Sequence, residues 1–171
     1  DVVGYGCTSA SLLIGEQVIE EIIKSKVDVK HVTTPLTGVR QALKTLKAKN
    51  IGYLAPYVSD IAFKMCSLLE EDGLQIGAAA TFSEGKDSIV GCIHPSSILD
   101  AIDTIVSEAA APLDALFIAC TSLKCTSIIN TAESKHNIPV ISSNTALAWD
   151  MARLADLNVP SSGKGYLFNQ N

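Results

Sequence analysis

Two cysteines of the chain sit in the same short setting. Val3-Gly4-Tyr5-Gly6-Cys7-Thr8-Ser9 and Phe117-Ile118-Ala119-Cys120-Thr121-Ser122 each run from apolar residues through a small residue into Cys-Thr-Ser. A thiol placed where a strand gives way to a helix lies near free backbone N–H groups and the positive end of the helix dipole, which favours its thiolate. The adjacent hydroxyls and amides suit a carboxylate, because a helix N-terminus is an anion site. A thiol of ordinary pKa, about 8.5, needs only a modest shift to exchange protons at carbon near neutral pH. Once deprotonated it is also a good carbon nucleophile. Two such settings facing one cleft would hold a small acid between two thiols. Cys7 and Cys120 are therefore the candidate catalytic pair, with Thr8, Ser9, Thr121 and Ser122 as candidate substrate-binding groups.

Other polar residues carry weaker signals. Tyr57, after Ala55-Pro56, fits a donor to a carboxylate or oxyanion, and equally a structural tyrosine. His94, before Pro95, fits a loop or helix-capping role more readily than acid–base work. Asp87 ends a polar stretch, Ser83-Glu84-Gly85-Lys86-Asp87, that reads as a solvated loop. Cys66, Cys92 and Cys125 read as small structural apolar residues. The five cysteines are odd in number and widely spaced, with no C-x-x-C, unlike a disulfide framework. Cys120 with Cys125 makes a poor zinc signal, because His31, His94 and His136 form no matching cluster. Gly4-Tyr5-Gly6 is neither a dinucleotide fingerprint nor a Walker loop, and no Gly-x-Ser-x-Gly elbow occurs. The expected enzyme uses no cofactor and no metal.

Strands alternating with helices must position these residues. Apolar runs predict strands over 2–6, 29–34, 51–55, 74–81, 115–119 and 140–142. Helical periodicity predicts helices over 12–23, 37–49, 59–71, 95–106, 126–135 and 144–157. Among their caps, one of Thr8, Ser9 or Ser11 is expected for the first, Ser59 for the third and Asn144 for the last. The region Ser161-Ser162-Gly163 reads as loop. This order implies βα units and parallel sheets in an α/β fold. The composition agrees, with 47% apolar and 18% charged residues among 171. A net charge of −5 and scattered Lys and Arg leave no footprint for nucleic acid. No apolar stretch reaches membrane-spanning length, and no leader pattern opens the chain. The cysteine usage points to a reducing cytoplasm.

The Cys-Thr-Ser echo extends further. Each copy is followed by a helix, a strand, a polar turn (Thr33-Thr34-Pro35 or Ser142-Ser143-Asn144) and another helix, the pattern of two similar lobes. Residues 1–49, with the C-terminal helix near 145–171, are expected to form a first lobe that lacks its opening strands. Residues 50–144 are expected to form the second.

Gly4-Tyr5-Gly6-Cys7-Thr8-Ser9, Val32-Thr33-Thr34-Pro35-Leu36, Ala55-Pro56-Tyr57, Phe117 to Leu123 and Ser142 to Trp149 together resemble the aspartate/glutamate racemase superfamily. The closest likeness is to its branch of maleate cis–trans isomerases, arylmalonate decarboxylases and ectoine-utilisation proteins. The resemblance implies two flavodoxin-like lobes related by pseudo-twofold symmetry, with the active site between them, and a homo-oligomer. It implies that Cys7 adds to a substrate double bond while Cys120 serves as partner acid or base, with Thr8, Ser9, Tyr57, Thr121 and Ser122 holding carboxylates. In a racemase-like site the same thiols would remove and return a proton on opposite faces of an α-carbon. The decarboxylases keep only the thiol matching Cys120 and carry glycine at the Cys7 position, so Cys7 weighs against that activity. Asp87 is the nearest match to a second-lobe asparagine of the isomerases. The expected function is cis–trans isomerisation or racemisation of a small dicarboxylic or amino acid. The alternatives are an arylmalonate-type decarboxylase and a non-catalytic small-acid-binding protein.

Overall fold

The computed structural model describes residues 1–157 and 165–169, so the loop expected at Ser161-Ser162-Gly163 lies outside the described residues. β1 (Val2–Gly4) leads through α1 (Thr8–Ile14) and α2 (Glu16–Lys24) to β2 (His31–Thr33) and α3 (Pro35–Thr45). Next come β3 (Asn50–Ala55), α4 (Ser59–Glu71), β4 (Gln75–Thr81), α5 (Asp87–Val90) and α6 (Pro95–Glu108). The series ends with β5 (Ala115–Ile118), α7 (Ile129–His136), β6 (Val140–Ser142) and α8 (Ser143–Leu154). Short 3-10 turns occupy Thr126–Ile128 and Tyr166–Asn169. Among the described residues, no helix is long and apolar enough to cross a membrane.

The fold is α/β with parallel sheets. β1 and β2 form one parallel pair, with Gly4 opposite Thr33. The other sheet runs β4-β3-β5-β6, parallel throughout, with Leu54 opposite Ile118 and Ile118 opposite Ser142. Its central strands are buried almost end to end, which is why they read as continuous apolar runs rather than alternating ones. Tyr53, Leu54, Phe117 and Leu116 form the middle of the core, with Met65 and Leu69 of α4 and Ile98, Ile102 and Ile105 of α6 around them.

Local structure departs from the sequence reading at several ends. The helix expected over 12–23 is two helices, because Gly15 takes φ 92°, a conformation open to glycine that interrupts the helical ladder. The N-cap of α1 is Cys7 itself, in extended backbone, and Ser11 Oγ instead donates back to the Cys7 carbonyl at 2.6 Å. α3 starts two residues before the expected Thr37, capped by Thr34, whose hydroxyl accepts from the Thr37 N–H. α4 has Val58, not Ser59, at its N-cap and no side-chain cap bond. α8 is capped by Ser142 in a reciprocal box with Thr145, not by Asn144. For α3 the preceding strand also ends one residue earlier than expected, at Thr33. Asp87 opens α5 rather than closing a loop.

α3 and α8 cross in close contact at Gly38. A Cβ there would stand 2.6 Å from the Ala146 carbonyl oxygen and 2.8 Å from its carbon, both backbone atoms. Gly38→Ala is accordingly expected to destabilise the protein by about 1–3 kcal/mol, the usual range for overpacking. The check is the denaturant midpoint, and an unchanged value would show that this crossing has slack.

Candidate active site

The strand order creates a switch point between β3 and β5. From β3 the chain crosses to β4 on one side, and from β5 it crosses to β6 on the other. Ligands in open parallel sheets bind outside the carboxyl ends of strands that part in this way. Tyr57 follows β3 and Cys120 follows β5, and the two strand ends are joined by the Ala119 N–H donating to the Leu54 carbonyl at 2.8 Å.

Cys120 is buried and takes φ 84°. A non-glycine residue in that region costs roughly 1–3 kcal/mol and persists only where its surroundings hold it. Cys120 therefore differs from the strand-to-helix setting expected for it: a tight turn comes next, and helical structure resumes only at Thr126. Of the two thiols, only Cys7 stands directly before a helix. Cys7 is half-buried at the head of α1, with Sγ 3.7 Å from Ser9 Oγ. The first-turn N–H groups of α1 lack intrahelical partners and are the ready donors for an anion beside it.

The two Cys-Thr-Ser copies meet. Thr121 Oγ1 donates to the Gly6 carbonyl at 3.0 Å. Thr8 Oγ1 donates to Ser143 Oγ at 2.8 Å, and Asn144 Nδ2 donates to the Thr121 carbonyl at 3.0 Å. A hydroxyl has one proton to give. Thr8 and Thr121 direct theirs to protein acceptors, so their hydroxyls tie the loops together. Ser9 and Ser122 are half-buried beside the two thiols.

Tyr57 completes the group. It is 9% exposed, and its hydroxyl is buried with no hydrogen-bond partner. Thr8 and Cys120 lie next to that hydroxyl. Burial, and after it the neighbouring Cys120 and Tyr53, push the phenol pKa far above its usual value. Tyr57 thus stays a neutral donor at any working pH. An unpaired buried hydroxyl costs about 1–3 kcal/mol, a cost that a bound acceptor would remove. The Tyr57 carbonyl accepts from Thr81 Oγ1, and the Glu84 N–H donates to the Pro56 carbonyl at 2.6 Å, which secures the turn after β3.

Other candidates fall outside this group. His94 is the N-cap of α6, its Nδ1 accepting from the Ser96 N–H at 3.2 Å. Asp87 is exposed. Cys92 is exposed at the turn after α5, not buried as expected, because the chain reverses there before α6. Burial pushes the Cys66 and Cys125 thiols up to about 11. Among the described residues no group of three or more His, Cys, Asp or Glu could hold a metal ion. Sequence reasoning did not single out Ser143 and Asn144 as partners of the thiol loops; their signals were the polar turn they share with Thr34 in the repeat, the cap expected at Asn144, and the Ser142 to Trp149 segment of the resemblance. At about pH 8, a thiol of pKa near 11 is only about 0.1% thiolate and reacts correspondingly slowly. Peptide mapping after iodoacetamide treatment of the folded protein is expected to find Cys92 labelled while Cys66 and Cys125 stay free. Rapid labelling of Cys125 would contradict its buried, protonated state.

The comparisons with known proteins bear on the family and the fold. A family model described as arylmalonate decarboxylase matches residues 1–168. A maleate isomerase of Nocardia farcinica is 27% identical over 180 residues, spanning 100% of this chain and 70% of the relative. An arylmalonate decarboxylase of Bordetella bronchiseptica is 24% identical over 140 residues, spanning 81% of this chain and 58% of the relative. The solved N. farcinica maleate cis–trans isomerase, a cysteine-to-serine mutant with a covalently bound succinylcysteine intermediate, matches with a TM-score of 0.88 and 26% identity, covering 99% of this chain and 71% of that one. A Pseudomonas putida S16 maleate isomerase solved with maleate shares the fold at a TM-score of 0.90 and 21% identity, over 99% of this chain and 70% of that one. With its whole length but the last residues matched by the family model, this chain belongs to the arylmalonate decarboxylase family, within the aspartate/glutamate racemase superfamily.

Proposed function

We propose that the protein is a cofactor-independent cis–trans isomerase of a small dicarboxylate of the maleate type, working through Cys7 and Cys120. Its relatives are small-acid isomerases and decarboxylases, and it is an enzyme of that group. One observation carries the finer reading: the Thr121 hydroxyl bonds to the Gly6 carbonyl, joining the residue after one thiol to the residue before the other. A small acid between the loops would have a thiol on each side.

In the proposed reaction the Cys7 thiolate adds to one alkene carbon. A C–S bond forms, and the π pair moves to the neighbouring carbon, where the Cys120 thiol delivers a proton. The product of this half-reaction is a succinyl thioether on Cys7. Rotation about what is now a single C–C bond turns one carboxylate to the opposite side. Cys120, now a thiolate, removes the proton; the C=C bond re-forms and Cys7 leaves as thiolate. Nothing is consumed. The Tyr57 hydroxyl donates to the carboxylate that gathers charge during addition, and the first-turn N–H groups of α1 hold the other end of the substrate. The succinylcysteine reported for the N. farcinica relative supports an adduct of this type.

A second reading, decarboxylation of an arylmalonate-type acid with Cys120 as sole proton donor, is favoured by the family model itself. Cys7 would have no task in it. The odd number and wide spacing of the five cysteines favour a reducing compartment, and we assign the protein to the cytoplasm on that ground.

Proton NMR of maleate incubated with the protein distinguishes the readings. Cys7→Ala is expected to abolish both fumarate formation and the covalent adduct. Cys120→Ala is expected to lower kcat by about 10²- to 10⁴-fold, the range for loss of a general acid–base group. Tyr57→Phe removes one oxyanion donor and is expected to cost roughly 10²-fold. Full isomerisation by Cys7→Ala would sink the two-thiol proposal, and arylmalonate decarboxylation without isomerisation would transfer the assignment to the second reading.

A further inference from the structure

The first two residues of α8 touch both thiol loops. Ser143 Oγ accepts from Thr8, the neighbour of Cys7, at 2.8 Å. Asn144 Nδ2 donates to the carbonyl of Thr121, the neighbour of Cys120, at 3.0 Å. The same Thr121 extends its hydroxyl to Gly6. These bonds close a circuit from the head of α8 to one loop, across to the other, and back.

The head of α8 is itself rigid. Ser142 Oγ accepts from the Thr145 N–H at 3.1 Å, and the Ser142 N–H donates to Thr145 Oγ1 at 2.9 Å. Ser142 and Ser143 are fully buried, and α8 is held against α3 at the Gly38 crossing. The loop it braces is under strain: Cys120 at φ 84° needs its flanking peptide fixed, and the Asn144 bond falls on the residue immediately after it.

We propose that Ser143 and Asn144 are positioning residues that set the separation and register of the two thiols, acting through Thr8 and Thr121 rather than on substrate. The inference rests on the two-thiol reading of the site. Catalysis by paired groups is sensitive to such register, since a misplacement of about 1 Å can cost roughly 10²-fold in rate.

The test compares Asn144→Ala, Asn144→Asp and Ser143→Ala with the wild-type protein. Asn144→Asp keeps the shape of the side chain but replaces its donor by an oxygen facing the Thr121 carbonyl oxygen. Three readouts are taken: kcat and KM with maleate, the melting temperature, and the iodoacetamide alkylation rate of Cys120 relative to Cys7 by peptide mapping. Both Asn144 variants are expected to lose about 10- to 100-fold in kcat. KM is expected to stay within about threefold, since binding donors are left in place. The alkylation ratio is expected to change while the melting temperature holds. Ser143→Ala, which lies in the buried core, is expected to show the same pattern if it folds; the half-buried Asn144 variants decide if it does not. Unchanged kcat and alkylation ratio in Asn144→Asp would overturn the proposal, as would a kcat loss wholly matched by loss of the fold. If wild-type protein leaves maleate unchanged, the proposed function fails on its own account. The alkylation ratio then decides the positioning role alone, a changed ratio supporting it and an unchanged one overturning it.

Discussion

The crossing of α3 and α8 is the constraint on which the site depends. Each helix comes after the second strand of a parallel pair, α3 after β1-β2 and α8 after β5-β6. Because Gly38 presents no side chain, the helices approach until backbone meets backbone at Ala146. Other contacts reinforce the approach. Thr33 Oγ1 donates to the buried Asp150 carboxylate at 2.6 Å, tying the end of β2 to α8. Gly4 leaves room for Met151 of α8, whose Sδ would collide with a Cβ added at that position. With the second strands of both pairs drawn together, the first strands bring Cys7 and Cys120 to the same end of the molecule, where Thr121 reaches Gly6.

The electrostatics of the site derive from the groups the chain leaves there. Both arginines are engaged elsewhere: Arg40 is paired with Glu16 and Asp72, and Arg153 with Asp150. In the proposed site an anion at the thiols would have dipoles to rest on, namely the first-turn N–H groups of α1 and the neutral Tyr57 hydroxyl. This arrangement suits a substrate whose charge must shift during reaction, because fixed dipoles in a buried site need little reorganisation as charge develops. It also explains why a chain of net charge −5 could hold a small acid without a basic patch.

Much of this was readable in the sequence, and the reasons differ element by element. β3 and β5 were clear because strands buried on both faces become unbroken apolar runs, and their parallel pairing was implied by the helices between them. The thiols, and Tyr57 at a strand end, were singled out because ligands in βα folds bind at such ends. The break at Gly15 was hidden, since apolar residues continue at helical spacing on either side of it. The φ of Cys120 was hidden as well: nothing in Ala-Cys-Thr signals a left-handed residue, and the tertiary contacts that hold it come from elsewhere in the chain. The Thr8–Ser143 bond joins residues 135 positions apart, a separation that local pattern does not encode.

The repeat is symmetric in sequence and asymmetric in structure, and the asymmetry bears on how the two thiols divide their work. Cys7 caps α1, half-exposed, with a helix N-terminus behind it and the Ser9 hydroxyl beside it. In the proposed reaction that setting leaves room for a bond to carbon to form and then break. Cys120 is buried in a strained turn, with Tyr57 against it and the next peptide held by Asn144. A group so confined is poorly placed to track a rotating substrate but well placed to exchange a proton at one fixed point. In the proposed reaction the same three residues, Cys-Thr-Ser, would serve addition in one loop and proton transfer in the other. The difference lies in the segment on the C-terminal side of each motif: a helix begins directly after Cys7, whereas a turn delays the helix after Cys120.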